Sequence, residues 1–226
     1  MRIIRAIMIQ RNPAGFSKKH DWINRLILCL VFCLSTHLVC AQEQNDRYAN
    51  GQVKASGSTV DGKKSGTWTY YYENGKTSAV EHFQNGVLHG IVEYFYGEGG
   101  KQGVESWRNG MMEDSAKYFH KNGNLEKAGK YEQGQYAGEW KHYHPNGKPE
   151  RIVNYVNGLP DGPVKVFNED GSLLQEGYYK EGKEEGDWKF YTEKGELQFT
   201  GTYQQGKETG TWYVFKKGKR KVYKEY

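Results

Sequence analysis

The chain has 226 residues, 26% of them charged, 36% hydrophobic and 15% aromatic, with 29 glycines against 5 prolines. That balance excludes a disordered chain and one embedded in a membrane along its whole length. The formal charge of +5 sits in residues 1–41, which hold six Lys/Arg and one Asp, so residues 42–226 are neutral and exert no global pull on nucleic acid or anionic lipid.

At the N-terminus, Arg25 precedes the apolar run Leu26 to Leu34, the pattern of a basic n-region followed by an h-region. Val39-Cys40-Ala41 offers a signal-peptidase site, so residues 1–41 are expected to be a signal peptide and Gln42 the first residue after it. The apolar run falls short of the roughly 20 residues that span hydrocarbon, which disfavours an uncleaved anchor. Leu38-Val39-Cys40 resembles a lipobox, but Val39 is bulky where a small residue is expected. Cys29, Cys33 and Cys40 all lie in this leader, so the remaining chain is expected to be exported to the periplasm, cell envelope or medium and to hold together there without disulfides.

Residues 42–61 read as a lead-in with a degenerate half-repeat, since Gly51 and Gly57 match glycine positions of the array that follows. From Gly62 to the end, seven units repeat with a period of 24: Gly62, Gly86, Gly110, Gly134, Gly158, Gly182 and Gly206 open them. Taking that glycine as position 0, position 4 is Gly66, Gly90, Asp114, Gly138, Gly162, Gly186 and Gly210. Position 6 is Trp68, Val92, Ala116, Trp140, Val164, Trp188 and Trp212, and position 9 is always Tyr or Phe, including Tyr71, Tyr143 and Tyr191.

Each unit has two short runs rich in Trp, Tyr, Phe, Thr and Val, joined by turns such as Glu73-Asn74-Gly75-Lys76. Asn-Gly and Asp-Gly tolerate positive φ, so each unit is expected to be a β-hairpin, closed at its far end by a longer turn between the glycines at positions 0 and 4. No sustained period of 3.6 is present, and glycine every few residues opposes helix. A lone hairpin buries no core, so the units must pair edge to edge. The expected fold is all-β: an elongated single antiparallel sheet of about fourteen strands, a ribbon of roughly 60–70 Å at about 4.8 Å per strand.

The stretch from Gly182 through Trp188 and Tyr191 to Gly195, with Tyr203 and Gly206 beyond, resembles the MORN repeat in its bacterial variant form, as do Gly62 to Gly86 and Gly134 to Gly158. The resemblance covers about residues 47–226; variant proteins of this kind are often named antitoxins of toxin–antitoxin pairs, and the resemblance implies that label. A second similarity is to the aromatic hairpin repeats of choline- and glucan-binding cell-wall proteins.

A catalytic centre is needed once, not seven times, and no nucleotide loop, zinc-protease motif or nucleophile elbow interrupts the repeat; no enzymatic activity and no cofactor are expected. His120, His142 and His144 form the best metal candidate, but equivalent positions one hairpin apart are about 10 Å distant, too far to share an ion. Glu184, Glu185 and Asp187 read as solvated charge beside a turn, and Lys216 to Lys221 as a basic patch that blunts the last strand. The candidate interaction surface is Trp68, Trp140, Trp188 and Trp212 with Tyr71, Tyr143 and Tyr191, although Trp alternating with Val and Ala at position 6 also reads as packing tolerance. The expected function is a protein-interaction scaffold of the cell envelope, with glycan or peptidoglycan binding, or the antitoxin role, as alternatives.

Overall fold

The computed structural model describes residues 41–226. The expected leader, its three cysteines and the first 40 residues therefore lie outside the described residues.

The described chain is one antiparallel sheet of 17 strands without a helix. It runs as a meander of hairpins: β1 (Gln42–Arg47) with β2 (Val53–Val60), β3 (Lys63–Tyr71) with β4 (Thr77–Gln84), and β5 (Val87–Leu88) and β6 (Gly90–Phe95) with β7 (Lys101–Arg108). There follow β8 (Met111–Phe119) with β9 (Leu125–Glu132), β10 (Gln135–Tyr143) with β11 (Pro149–Val156), and β12 (Leu159–Phe167) with β13 (Leu173–Lys180). The last two pairs are β14 (Lys183–Tyr191) with β15 (Leu197–Gln204), and β16 (Lys207–Lys216) with β17 (Lys219–Glu225). β5 and β6 are one strand interrupted at His89, whose N–H donates to the His82 carbonyl at 2.8 Å.

Three sequence expectations need correction. The lead-in is a complete hairpin in register with the array, because Gln42 pairs with Thr59 as Gly66 pairs with Phe83 one repeat later. The far turn is tight: Asp61 (φ 50°) and Gly62 (φ 71°) are the two central residues, and the same pair of positive φ values recurs at each later unit, the type I′ geometry that matches strand twist. Position 4 lies inside the strand. Gly66 has φ 68° in a bulge where Gly66, Thr67 and Trp68 together face Gly57, so positive φ there serves an extra-residue kink and not a turn. The last unit closes in the same way: Lys217 and Gly218 form another two-residue turn and β17 pairs along β16.

The bulge sets the packing. It brings position 6 of one unit onto position 19 of the preceding unit, and within its own hairpin position 6 also faces position 19. One central row thus crosses the sheet, running through Gly57, Trp68, Glu81, Val92, Glu105, Ala116, Gly129, Trp140, Val153, Val164, Gly177, Trp188, Gly201 and Trp212. Wherever position 6 is Trp, the residue eleven before it is Gly: Gly57, Gly129, Gly177 and Gly201. A Cβ on any of the four would overlap the indole of Trp68, Trp140, Trp188 or Trp212. Each indole therefore lies flat on bare backbone, and the four are 1%, 0%, 1% and 4% exposed. This is how a one-layer sheet acquires a core: a single large side chain shields the ladder on both sides of it.

Both ends of the hairpins tie successive repeats. At the four-residue turns, Tyr48, Tyr72 and Tyr96 donate through their hydroxyls to the carbonyls of Tyr71, Phe95 and Phe119 at 2.7, 2.6 and 2.6 Å. At the tight turns, Glu113, Asp161 and Glu185 accept from the backbone N–H of Gln133, Glu181 and Gln205 at 3.0, 3.1 and 2.8 Å.

Candidate interaction faces of the sheet

Strand alternation gives the sheet two unlike faces. The tryptophan face carries three parallel rows. The central row is flanked on the tight-turn side by positions 2 and 21, which pair as Phe83 with Leu88, Trp107 with Met112, Tyr131 with Tyr136, Tyr155 with Pro160, Tyr179 with Glu184 and Tyr203 with Glu208. These rings are half-buried apart from the buried Tyr131. They contact the indoles edge to face: Tyr179 to Trp188, Trp188 to Tyr203 and Tyr203 to Trp212 stand at 5.3, 5.6 and 5.2 Å between centroids.

The third row of that face pairs Ala55 with Tyr70, Ala79 with Tyr94 and Gly103 with Tyr118. Here the repeat changes character, because the central row holds Glu81 and Glu105 where other units have Gly or Val. Glu105, 8% exposed, accepts from the Tyr118 hydroxyl at 2.5 Å and from Trp107 Nε1 at 2.9 Å. Burial and then the neighbouring carboxylates raise the phenols above their ordinary range: Glu81 acts on Tyr70, and Glu105 on Tyr94 and Tyr118. The Glu105 carboxylate is held by its two donors, the Tyr118 hydroxyl and Trp107 Nε1.

The opposite face carries the lysines of position 7: Lys117, Lys141, Lys165 and Lys189, all exposed. Lys141 pairs with Glu139 at 3.0 Å, and Lys189 with Glu176 at 3.1 Å. Glu176 also accepts from the Tyr191 hydroxyl at 2.7 Å, and its carboxyl is held below the usual range first by that bond and then by Lys189. Tyr191 in turn is pushed up to about 12, by burial first and Glu176 second.

The seven candidate residues therefore do not form one surface. Trp68, Trp140, Trp188 and Trp212 are buried packing elements on one face, so their rings cannot serve as open stacking platforms. Tyr71, Tyr143 and Tyr191 are half-buried on the other face, since position 9 alternates away from positions 6 and 8. The residues that do present rings on the tryptophan face are those at position 21. The histidines also find a place: His120 and His144 stand in the column of Tyr72 and Tyr96 and bond through Nε2 to the carbonyls of Tyr143 and Phe167 at 2.8 and 3.0 Å. His142 lies on the tryptophan face, where burial and then Arg151 and Lys127 lower its pKa. Among the described residues no group of three His, Cys, Asp or Glu could hold a metal ion. Glu185 is a turn cap, and Asp187 accepts from Thr202 Oγ1 at 3.0 Å.

A hairpin pair whose far glycine opens a tight turn, whose second glycine makes a bulge and whose indole lies on a neighbouring strand is a defined repeat. Four segments match the MORN repeat variant. They are residues 64–85, 137–157, 160–181 and 184–205. The MORN-variant match omits residues 86–136, where the central row carries Val92, Glu105 and Ala116 in place of a tryptophan joint. No curated protein matches the chain, so the antitoxin label rests on resemblance alone.

Among solved structures, the chain is similar to the GtfA/B complex bound to UDP and GlcNAc at 10% identity, covering 63% of this chain and 25% of that one, with a TM-score of 0.20. It is similar to TcdB2-TccC3-TEV at 11% identity over 77% of this chain and 12% of that one, with a TM-score of 0.22. The Photorhabdus luminescens Tc holotoxin pore gives 12% identity, 76% and 13% coverage and a TM-score of 0.19. The chain spans a quarter or less of the length of these solved chains, and none of the scores indicates a shared overall fold. With four segments that match the MORN repeat variant, the chain is a β-hairpin repeat protein of the kind that suggests a repeat-based scaffold.

Proposed function

We propose that this chain is a non-enzymatic scaffold of the cell envelope that docks a protein partner on its tryptophan face. The observation that carries the reading is the row of rings at position 21, one per repeat from Phe83 and Trp107 through Tyr131, Tyr155 and Tyr179 to Tyr203, on a sheet face that no second layer covers among the described residues. Half-buried tyrosines held rigid by packing bring large contact area at low entropic cost, and aromatic residues are enriched at protein interfaces. The buried indoles beneath keep the row in register.

The test is capture of envelope proteins by the full chain, comparing wild type with a Tyr155→Ala/Tyr179→Ala variant and with a Lys117→Ala/Lys165→Ala variant. The tyrosine variant is expected to lose the partner and the lysine variant to keep it; the reverse pattern moves the interface to the other face. The same half-exposed tyrosines favour one second reading, stacking on glycan. Co-sedimentation with purified cell wall, abolished by the tyrosine variant and coupled with capture of no protein, would establish that reading instead.

A further inference from the structure

Seven Asn-Gly pairs mark turns of the described residues, and the two ends of the hairpins hold them differently. Asn50, Asn74, Asn122 and Asn146 lie in four-residue turns; Asn85, Asn109 and Asn157 lie in tight turns. All seven are exposed, so access of water does not separate them. Hydrogen bonding does.

In the four-residue turns the side-chain amide is tied at both atoms. Oδ1 of Asn74, Asn122 and Asn146 accepts from the backbone N–H two residues on, at 3.0, 3.0 and 2.9 Å. Their Nδ2 groups donate to the carbonyls of Gly97, Pro145 and Glu169, in the turn of the next repeat, at 3.1, 2.7 and 2.8 Å. Asn50 keeps only the first kind of bond, from the Gln52 N–H at 3.0 Å. At the tight turns, the side chains of Asn85, Asn109 and Asn157 make no hydrogen bond among the described residues. The glycine N–H is held in both classes: Gly86, Gly110 and Gly158 donate to the carbonyls of Lys64, Leu88 and Tyr136 at 2.9, 2.9 and 3.0 Å, and Gly75, Gly123 and Gly147 to those of Tyr72, His120 and His144 at 2.9, 2.8 and 2.8 Å.

We propose that Asn85, Asn109 and Asn157 are sites of spontaneous deamidation and that the fold protects Asn74, Asn122 and Asn146 from the same reaction. The backbone nitrogen of the following glycine gives its proton to hydroxide and attacks Cγ of the asparagine. The Cγ–Nδ2 bond breaks, Nδ2 leaves as ammonia and a five-membered succinimide forms. Water then adds to either ring carbonyl and opens the ring to aspartate or isoaspartate. Asparagine is thermolabile in general, and a following glycine brings no Cβ to obstruct closure. Closure requires the turn to open first, because the attacking nitrogen is engaged through its N–H. A tight turn gives up that one bond; the turns of Asn74, Asn122 and Asn146 give up three, and that of Asn50 two. At a net worth of roughly a factor of five per bond, the fully tied asparagines react about tenfold or more slowly than the free ones, with Asn50 between. The two products differ in what they do to the sheet. Asp61 already occupies the same turn position with φ 50°, against 49° for Asn157, so an aspartate product fits the turn. Isoaspartate adds a methylene to the backbone and cannot keep the two-residue geometry.

The experiment ages the full chain in mildly alkaline buffer and follows each Asn-Gly peptide by mass spectrometry, with a parallel sample in urea. In urea the seven pairs are expected to react at similar rates, since they share one dipeptide. In the folded chain the expected order is Asn85, Asn109 and Asn157 first, Asn50 next, and Asn74, Asn122 and Asn146 last, with all rates rising with pH. Equal rates for the tied and the free asparagines in the folded chain overturn the inference, because the side-chain bonds then confer no protection. Silence at Asn85, Asn109 and Asn157 in the folded chain, beside reaction in urea, also overturns it, by showing that the tight turns lock the glycine nitrogen. Asn157→Asp carries one product from the start, and the Gly158 N–H is expected to keep its slow hydrogen exchange; loss of that protection would show that the acid does not fit the turn.

Discussion

Two kinds of joint hold this sheet together. At β2–β3, β9–β10, β13–β14 and β15–β16 a tryptophan lies on a glycine; at β4–β6, β7–β8 and β11–β12 the same two positions hold Glu81 and Val92, Glu105 and Ala116, and Val153 and Val164. The glycine joint spends all its volume on one side chain and leaves none for its neighbour. The others divide the volume, with two valines meeting in one joint and a carboxylate facing a small residue in two. A carboxylate in that row needs donors, and the sheet supplies them at position 8, which is Tyr70, Tyr94 and Tyr118 around Glu81 and Glu105 but His142, Val166, Phe190 and Val214 elsewhere. Volume and polarity are therefore conserved by joint and not by residue.

The most severe way to break the comparison is Gly129→Val. The new side chain would occupy the space of the Trp140 indole, which must leave the row, and the loss is expected at about 3 kcal/mol or more, similar to truncating a buried aromatic. Urea denaturation would measure it. The decisive companion is Gly177→Val with Trp188→Val, which installs the pattern of Val153 and Val164. It should recover most of what Gly177→Val alone loses, and failure to recover would mean that the joints are not interchangeable.

The carboxylate joint gives the next effect. Glu105→Leu keeps the volume but strips the Tyr118 hydroxyl and the Trp107 indole N–H of their acceptor, at a cost of about 1–3 kcal/mol. The double variant Glu105→Leu/Tyr118→Phe should lose less than the sum of the two single changes. A strictly additive result would show that the hydroxyl does not depend on the carboxylate.

The phenols of this joint also set a pH limit. Tyr70, Tyr94 and Tyr118 have folded pKa values raised above the unfolded value of about 10, so the folded chain keeps protons that the unfolded one releases. Their contribution is whole below about pH 10 and declines as pH rises toward the folded values. Denaturation midpoints taken upward from pH 9 should fall, and the fall should shrink in a Tyr70→Phe/Tyr94→Phe variant compared at the same pH values. Equal slopes would remove these groups as the cause.

Much of this was legible in the residues. The period of 24, the turn glycines and the hairpin order follow from Asn-Gly and Asp-Gly spacing, since those dipeptides restrict backbone geometry whatever surrounds them. The glycine of position 4 was misplaced because positive φ serves a turn and a bulge alike, and only the partner strand distinguishes them. That error hid the packing: without the bulge, Trp68 is not seen to fall on Gly57. A signal was present nonetheless, in glycines that stand eleven residues before Trp68, Trp140, Trp188 and Trp212 and nowhere eleven before Val92, Ala116 or Val164. The candidate residues divide between two faces for a related reason. Residue type showed that Trp and Tyr mattered, but which face each met, and what covered it, came from register.

The smallest effect separates the edges of the sheet from its middle. Tyr96 donates to the Phe119 carbonyl across the four-residue turn, and one repeat later His120 does the same to Tyr143. A ring with one donor at its tip, able to reach the same carbonyl, satisfies the column, so Tyr and His are equivalent there although they share little else. Tyr96→Phe removes only the donor from a half-buried bond, and about 1 kcal/mol is expected. Tyr96→His should cost less than Tyr96→Phe, because the imidazole replaces the lost bond. Hydrogen exchange at Tyr96 and Gly99, whose N–H groups bond Gly100 and Tyr96 within this turn, would register the difference locally while the glycine–tryptophan joints kept their protection. Should Tyr96→His cost as much as Tyr96→Phe, the column would be a packing feature and the histidines would need another account.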